Sequence, residues 1–267
     1  MSLLSVEEDD VVAAADRWRA VVSYATDTEH ANPRRDFDGH LGVMWARHSR
    51  YILGDDLYAS SHAQNVRRHR KDNPAWAEFT DWLQAHRELV DTAAMVRHLK
   101  RKHGASVVLP LYLYDHSGLS ITAGANLAGG TDATDAGHRG GRFAGDPQGW
   151  DTSYVGFVFD TEDARARCGT EPGQVEEALR AEVEEYDDYL TGQVFDVQVQ
   201  ERPADHDWHR YASSDELRCV QCGTEFSNGE FAAGECLAWE EVDAVHGCLG
   251  REHAESVARE LLSEHTA

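Results

Sequence analysis

Positive charge is what this chain has least of. Its 267 residues carry 25 Lys and Arg against 48 Asp and Glu, a formal net charge of −23. Lysine occurs only at 71, 100 and 102. A phosphate backbone is gripped by a positive footprint, so this balance argues against a general nucleic-acid-binding surface. Long apolar runs are also missing. No stretch reaches the roughly 18 apolar residues that a membrane-spanning helix needs, and no membrane partner is expected. The start, Met1 to Asp10, has neither a basic lead nor a long apolar core, so it does not read as a secretory signal. The expectation is a protein of the host-cell cytoplasm. Cysteine is scarce at five residues, and four of them lie between 219 and 248. That clustering fits metal binding in a reducing compartment better than disulfides. Cys168 stands apart and reads as a bystander thiol.

What is present is enough apolar residue, 41% of the chain, to build a core. The acidic excess has three readings: solubility or adaptation to high salt, mimicry of DNA by a carboxylate-covered face, or a metal-dependent active site.

The most specific pattern is Cys219-Val220-Gln221-Cys222-Gly223. A C-x2-C pair backed by Gly, followed by a second Cys/His group, is how a short segment holds a tetrahedral zinc. Cys219 and Cys222 supply the first pair. Cys248 and His253, bracketing the start of the last helix as in a treble clef, supply the second, with Cys236 and His246 as alternates. Six candidate ligands so close together point to a closed, structural zinc rather than a catalytic one with an open position. The stretch 215–267 has few large apolar residues, so the metal would contribute much of its folding energy.

Periodicity predicts an amphipathic helix over 6–24, from Val11, Val12, Ala15, Trp18, Val21 and Val22. Asn32-Pro33 marks a turn. A long helix should start at Asn73-Pro74, run to about Lys102 and stop at Gly104. Residues 106–114 read as a strand, with Pro110 implying an edge or a bulge. Leu119–Thr122 is its hairpin partner, and Tyr154–Asp160 is another strand. Between them, 123–149 holds eight glycines and reads as a long mobile loop. A short helix opens at Thr161, a clear one spans Glu171–Leu190, and Gln193–Gln200 alternates as a strand. The expected fold is α+β: a small, mainly antiparallel sheet with packed helices, plus a C-terminal zinc-knuckle, treble-clef-like module. The expected divisions are a main domain over 1–203, a linker over 204–214 and the zinc module over 215–267.

Two further clusters carry chemistry. Asp115-His116-Ser117-Gly118 ends a strand, and Asp151 follows the insertion. His116, Asp115 and Asp151 are the candidate catalytic residues of a small hydrolase. The bland alternative is a hairpin turn of ordinary turn formers, with Asp151 capping another. On the acidic helix, Glu182, Glu185 and Asp188 follow at every third residue, on a solvated face or along a cleft. The segment 67–71, Arg-Arg-His-Arg-Lys, with Arg97, Lys100, Arg101 and Lys102, is the one concentrated positive region; it balances the acidic body or binds a phosphate.

The chain resembles a family of uncharacterised proteins common on phages and mobile elements. Leu111-Tyr112-Leu113-Tyr114-Asp115-His116-Ser117-Gly118 is similar to its L-Y-x-Y-D-H-S-G strand end. Trp150-Asp151-Thr152-Ser153-Tyr154-Val155-Gly156 resembles its W-D-S-G-x-V-G segment, with Thr-Ser in place of Ser-Gly. Glu182-Val183-Glu184-Glu185-Tyr186-Asp187-Asp188-Tyr189-Leu190-Thr191-Gly192 resembles its E-V-x-x-Y-D-x-Y-L-x-G helix end. Asn32-Pro33-Arg34 and Arg47-His48-x-Arg50-Tyr51-x-Leu53-Gly54-Asp55 look like its first half. The likeness covers roughly 30–200; the glycine-rich insertion and the zinc-like tail are departures. It implies a setting, a virus or mobile element of an arginine-using, high-GC host, more than a chemistry. The expected function is an accessory protein that binds a host or viral macromolecule, a protein partner first, counter-defence being one such role. Nucleic acid would be met only locally, through the zinc module or segment 67–71.

Overall fold

The computed structural model describes residues 10–46, 48, 50–55, 92–128, 143–210, 216–227 and 236–267. Two compact units divide the chain: Asn32–Gly192 is one, and Met1–Ala31 with Gln193–Ala267 is the other. The expected boundaries at 203 and 215 do not coincide with these units. The physical reason is strand pairing: a strand at the chain start and one near its end both flank the strand that opens the second half.

The 32–192 unit is an antiparallel sheet covered on both faces. Its strands are β3 (Gly42–Ala46), β4 (Val108–Asp115), β5 (Leu119–Ala123) and β6 (Thr152–Asp160), in the order β3-β6-β4-β5. Leu109, Leu111 and Leu113 alternate along β4 to one face, where Leu179, Val183 and Tyr186 of helix α4 (Val175–Leu190) close a core. Val108, Phe157 and Phe159 face the other way, against Met95, Val96 and Leu99 of helix α2 (Thr92–His103). Both faces being buried explains why β4 and β6 read as nearly continuous apolar runs. Leu111 pairs with Gly156 and Tyr112 with Tyr154, so Val155 is an extra, bulged residue. That is how Val155 and Val158, an odd number apart, both reach the same core. Gly156 is needed here because a Cβ would lie 1.8 Å from the Trp45 carbonyl oxygen.

Pro110 lies on an interior strand, not an edge. Its carbonyl accepts from Gly124 N–H, and a residue's N–H and C=O face the same neighbour. The missing N–H therefore faces Gly124, just past the end of β5, whose carbonyl accepts instead from the Arg180 guanidinium (3.0 Å).

Short helices α1 (Pro33–Asp36) and α3 (Glu162–Cys168) are capped by the side chains of Asn32 and Thr161. Helix α2 ends one residue past the expected Lys102, before Gly104; its expected start at Asn73 lies outside the described residues. Of the loop expected to be mobile over 123–149, residues 129–142 lie outside them, as does segment 67–71, while both of its ends are held by hydrogen bonds, Leu127 N–H to the Val108 carbonyl (2.9 Å) and Asp146 N–H to that of Phe143 (3.0 Å) among them.

The other unit holds β1 (Val11–Ala15), β2 (Trp18–Tyr24), β7 (Val194–Glu201) and β11 (Glu240–Leu249), ordered β1-β2-β7-β11 and all antiparallel. Where a helix was expected over 6–24, residues 11–24 are instead a hairpin, turned at Asp16-Arg17 with Asp16 at φ 52°; residues 6–9 lie outside the described residues. Ala20 and Val22, two apart, enter the core with Phe195, Val197 and Val199, and Ala254, Ala258 and Leu262 of helix α5 (Arg251–Thr266) cover that face. The valines satisfy both periods; what decides is β7, which needs a partner on its free side. A second, three-stranded sheet orders β10 (Glu225–Ser227), β9 (Glu216–Cys219) and β8 (Trp208–Arg210). No described helix is long and apolar enough to cross a membrane.

Candidate metal centre and strand-end cluster

Strand β9 delivers Cys219 into a tight turn that returns as β10. Gly223 N–H donates to the Cys219 carbonyl (3.0 Å) and Cys219 N–H to that of Thr224 (2.9 Å), and Gly223 sits at φ 72°, open to glycine. The segment before β8 is held against this turn: Val220 N–H donates to Asp207 O (2.9 Å) and Cys236 N–H to Pro203 O (3.2 Å). Beyond Cys236, the guanidinium groups of Arg19 (4.3 Å) and Arg202 (4.5 Å) lie over the Trp239 ring.

The result brings one ligand atom each from His206, Cys219, Cys222 and Cys236 within 4.8 Å of one another. Cys219 and Cys236 sulfurs are 3.7 Å apart, and Cys222 Sγ is 3.3 Å from His206 Nδ1. Cys219 and Cys236 are buried. Backbone N–H groups aim at the sulfurs: those of Cys222 and Gln221 at Cys219, those of Thr224 and Leu237 at Cys222, and that of Ala238 at Cys236. Burial pushes the Cys222 thiol up, but the Thr224 hydroxyl (2.9 Å) and the two amides outweigh it and bring it down to about 6. Burial, with the other two sulfurs, pushes Cys236 up to about 11. A cation bound among them would favour every thiolate at once. The group can hold a metal ion.

Three sequence expectations are corrected here. Cys248 is buried between Phe195 and the α5 residues, where it packs as a small hydrophobe. His253 is exposed on α5. His246 pairs with Asp196 at 3.2 Å. The treble-clef placement fails because α5 uses its inner face, Ala254, Ala258 and Leu262, to cover the four-stranded sheet. The group that can hold an ion instead joins Cys236 and His206, the latter assigned to a linker, to Cys219 and Cys222. The one signal for it was a histidine 13 residues before a C-x2-C pair, on the side where no second group was sought.

In the 32–192 unit, the strand end gathers two of the three catalytic candidates. His116 Nδ1 lies 3.3 Å from Asp151 Oδ2, with side chains 64% and 46% exposed. Asp115 turns elsewhere: Arg50 and Tyr51 (3.3 Å) donate to it, and His48 Nε2 is 3.7 Å away. Asp115 is therefore not available to His116, as opposite directions of neighbouring strand residues require.

The acidic helix does not offer Glu182 to a cleft. Glu182 accepts from Leu41 N–H (2.6 Å), Gly42 N–H (3.0 Å) and Arg34 (3.0 Å). Arg34 also donates to Asp55 (2.8 and 3.0 Å) and to the Gly42 carbonyl (2.8 Å). Burial disfavours the Arg34 charge, but Asp55 and Glu182 raise its pKa above the ordinary value. Tyr186 accepts from Gly54 N–H at 3.0 Å. So Arg34, Gly54, Asp55, Glu182 and Tyr186, spread over three of the resemblance motifs, meet in one buried polar network.

No family model, no curated protein and no solved structure matches the chain.

Proposed function

We propose that His206, Cys219, Cys222 and Cys236 hold one zinc ion, and that the ion is structural. The carrying observation is a complete Cys3His donor set converging from three separate segments. A tetrahedron with Zn–S arms of about 2.3 Å has S–S edges of about 3.8 Å, close to the separation of Cys219 and Cys236. Four protein ligands fill four positions, so no place remains for a water or a substrate. The amides aimed at the sulfurs orient the ligands and offset their charge. Metal analysis of protein purified without chelator tests this: one zinc per chain is expected, falling to none in Cys219→Ser.

The protein as a whole acts as an accessory protein of a virus or mobile element, binding a macromolecule rather than turning over a substrate. Resemblance of the ordered motifs over 30–200 supports the setting. Exposed apolar side chains beside the metal ligands support binding: Val220, between Cys219 and Cys222, is 66% exposed, and Leu237, after Cys236, is 68% exposed. Cross-linking in producing cells, identification of the attached protein and reconstitution from purified components test it. Failure to reconstitute any complex would end the reading.

A second reading rests on the His116–Asp151 pair: a hydrolase with His116 as general base and Asp151 orienting it, without Asp115. Loss of about 10²-fold or more of a measured hydrolytic activity in His116→Ala, at unchanged stability, would carry it.

A further inference from the structure

Trp150 is 83% exposed, more than any other large apolar side chain described. The backbone that carries it is firmly built. Asp146, itself buried, accepts from Trp150 N–H (2.9 Å) on one carboxylate oxygen. Its other oxygen takes Asp151 N–H (2.9 Å) and the Thr152 hydroxyl (2.8 Å). Gly149, at φ 72°, closes the turn by donating to the Asp146 carbonyl (3.1 Å). Phe143 stacks on Tyr114 at 5.6 Å and anchors the start of the segment. The hydrogen bonds hold both amides of the Trp150-Asp151 pair, so the exposure of Trp150 is imposed by structure. A large aromatic on a fixed backbone loses little further freedom when a partner covers it, which is what binding hot spots share.

We propose that this turn is a docking surface for a cationic, arginine-bearing protein segment, with a guanidinium over the Trp150 indole and Asp151 as its counter-charge. The inference rests on the binding reading above and names its contact. Three observations select the partner's chemistry. The chain carries −23, so a cationic segment is steered in and an acidic one or a nucleic-acid strand is repelled. Trp150 is the aromatic that attracts a cation best. Asp151 follows it in the chain, half exposed, and among the described residues its carboxylate meets His116. Arginine fits better than lysine because its planar group stacks on the indole while its fork reaches a carboxylate.

The test uses the full-length, metal-loaded chain and a nine-residue peptide with three arginines spaced by Gly and Ser. The peptide binds, the Trp150 indole N–H resonance moves, and affinity falls with salt. Trp150→Ala weakens binding by about tenfold or more, Asp151→Asn by severalfold, and Trp150→Phe retains most of it. A peptide with citrulline for arginine, the same shape without charge, binds at least about tenfold more weakly. Trp150→Ala melts like the parent, because the side chain it removes is exposed. Equal affinity in Trp150→Ala, a stationary indole, equal binding of the citrulline peptide, or no binding at physiological salt overturns the proposal. So does an indole that moves with a single-stranded oligonucleotide or with phosphatidylcholine vesicles instead. If the partner reconstituted from cells binds Trp150→Ala unchanged, this surface is wrong and the binding reading stands. If nothing can be reconstituted, the binding reading itself fails.

Discussion

The two units solve the same problem with different means. In 32–192, segments far apart in sequence are joined by Arg34, which meets Asp55 and Glu182 while the carboxylates also take backbone N–H groups. In the other unit, the segments 203–207, 219–224 and 236–239 meet at four side chains of which three are thiols. The first cluster contains its own counter-charges. The second can hold a cation supplied from outside, and the zinc proposal has one complete it. A satisfied ion network folds with the chain, whereas a cluster that binds a metal couples its folding to that metal. Dependence on metal should therefore be confined to one unit.

Breaking the metal side has the largest expected effect. Cys219→Ser, or prolonged chelation, should release the ion and unfold the three-stranded sheet, with amides of 216–227 exchanging freely. Structural zinc contributes on the order of 10 kcal/mol in small modules, far above what three short strands can replace. Amides of β4 and β6 should keep their protection. Simultaneous loss in both units would erase the contrast.

Next in size is the network. Arg34→Ala leaves two carboxylates, Asp55 and Glu182, without their cation and should cost about 3–5 kcal/mol, read as a lowered melting temperature of the 32–192 unit with zinc content unchanged. Arg34→Lys should rescue only part of it, because one ammonium cannot fork to Asp55 while reaching Glu182 and the Gly42 carbonyl.

The pH response sharpens the comparison further. A zinc ion takes its ligand thiols as thiolates and displaces their protons, so acid competes with the metal. Acidification should release the ion and the protection of 216–227 together, while the amides of β4 and β6 keep theirs, read by hydrogen exchange alongside metal content. Loss of protection in both units at the same pH would remove the contrast.

Smallest is His116→Ala. The pair with Asp151 is exposed on both sides, so removing it should change stability by less than about 1 kcal/mol in thermal unfolding. A larger loss would mean that the strand-end turn depends on the ion pair rather than on Asp146.

How much of this was legible follows from the range of each signal. The pair Cys219 and Cys222, the hairpin around Asp115-His116-Ser117-Gly118, the strand Tyr154–Asp160 and the helix ending at Leu190 all rest on local spacing, and the structure contains them. The hairpin at 11–24 was not legible, because Val11, Val12, Val21 and Val22 fit two periods and the deciding partner, β7, lies far along the chain. His206 was missed for the same reason: it reaches the cysteines through Asp207 and Pro203 carbonyls, which leave no side-chain pattern. Cys248 misled because a buried cysteine and a metal-bound one look alike in sequence. Glu182 reads as lying on a solvated face or along a cleft, and Arg34, Asp55 and Tyr186 stand in the sequence only as parts of the resemblance motifs, yet the four meet as fold-holding contacts.

Native mass spectrometry of the full-length chain, purified without chelator, tests the central claim most directly. The account predicts the mass of one zinc with the cluster thiols deprotonated, and the loss of that mass together with protection of 216–227 in Cys236→Ser and in His206→Ala, while Cys248→Ser and His253→Ala keep it. A chain without metal whose residues 216–227 remain protected would contradict the account. So would retention of the ion in His206→Ala with loss in His253→Ala.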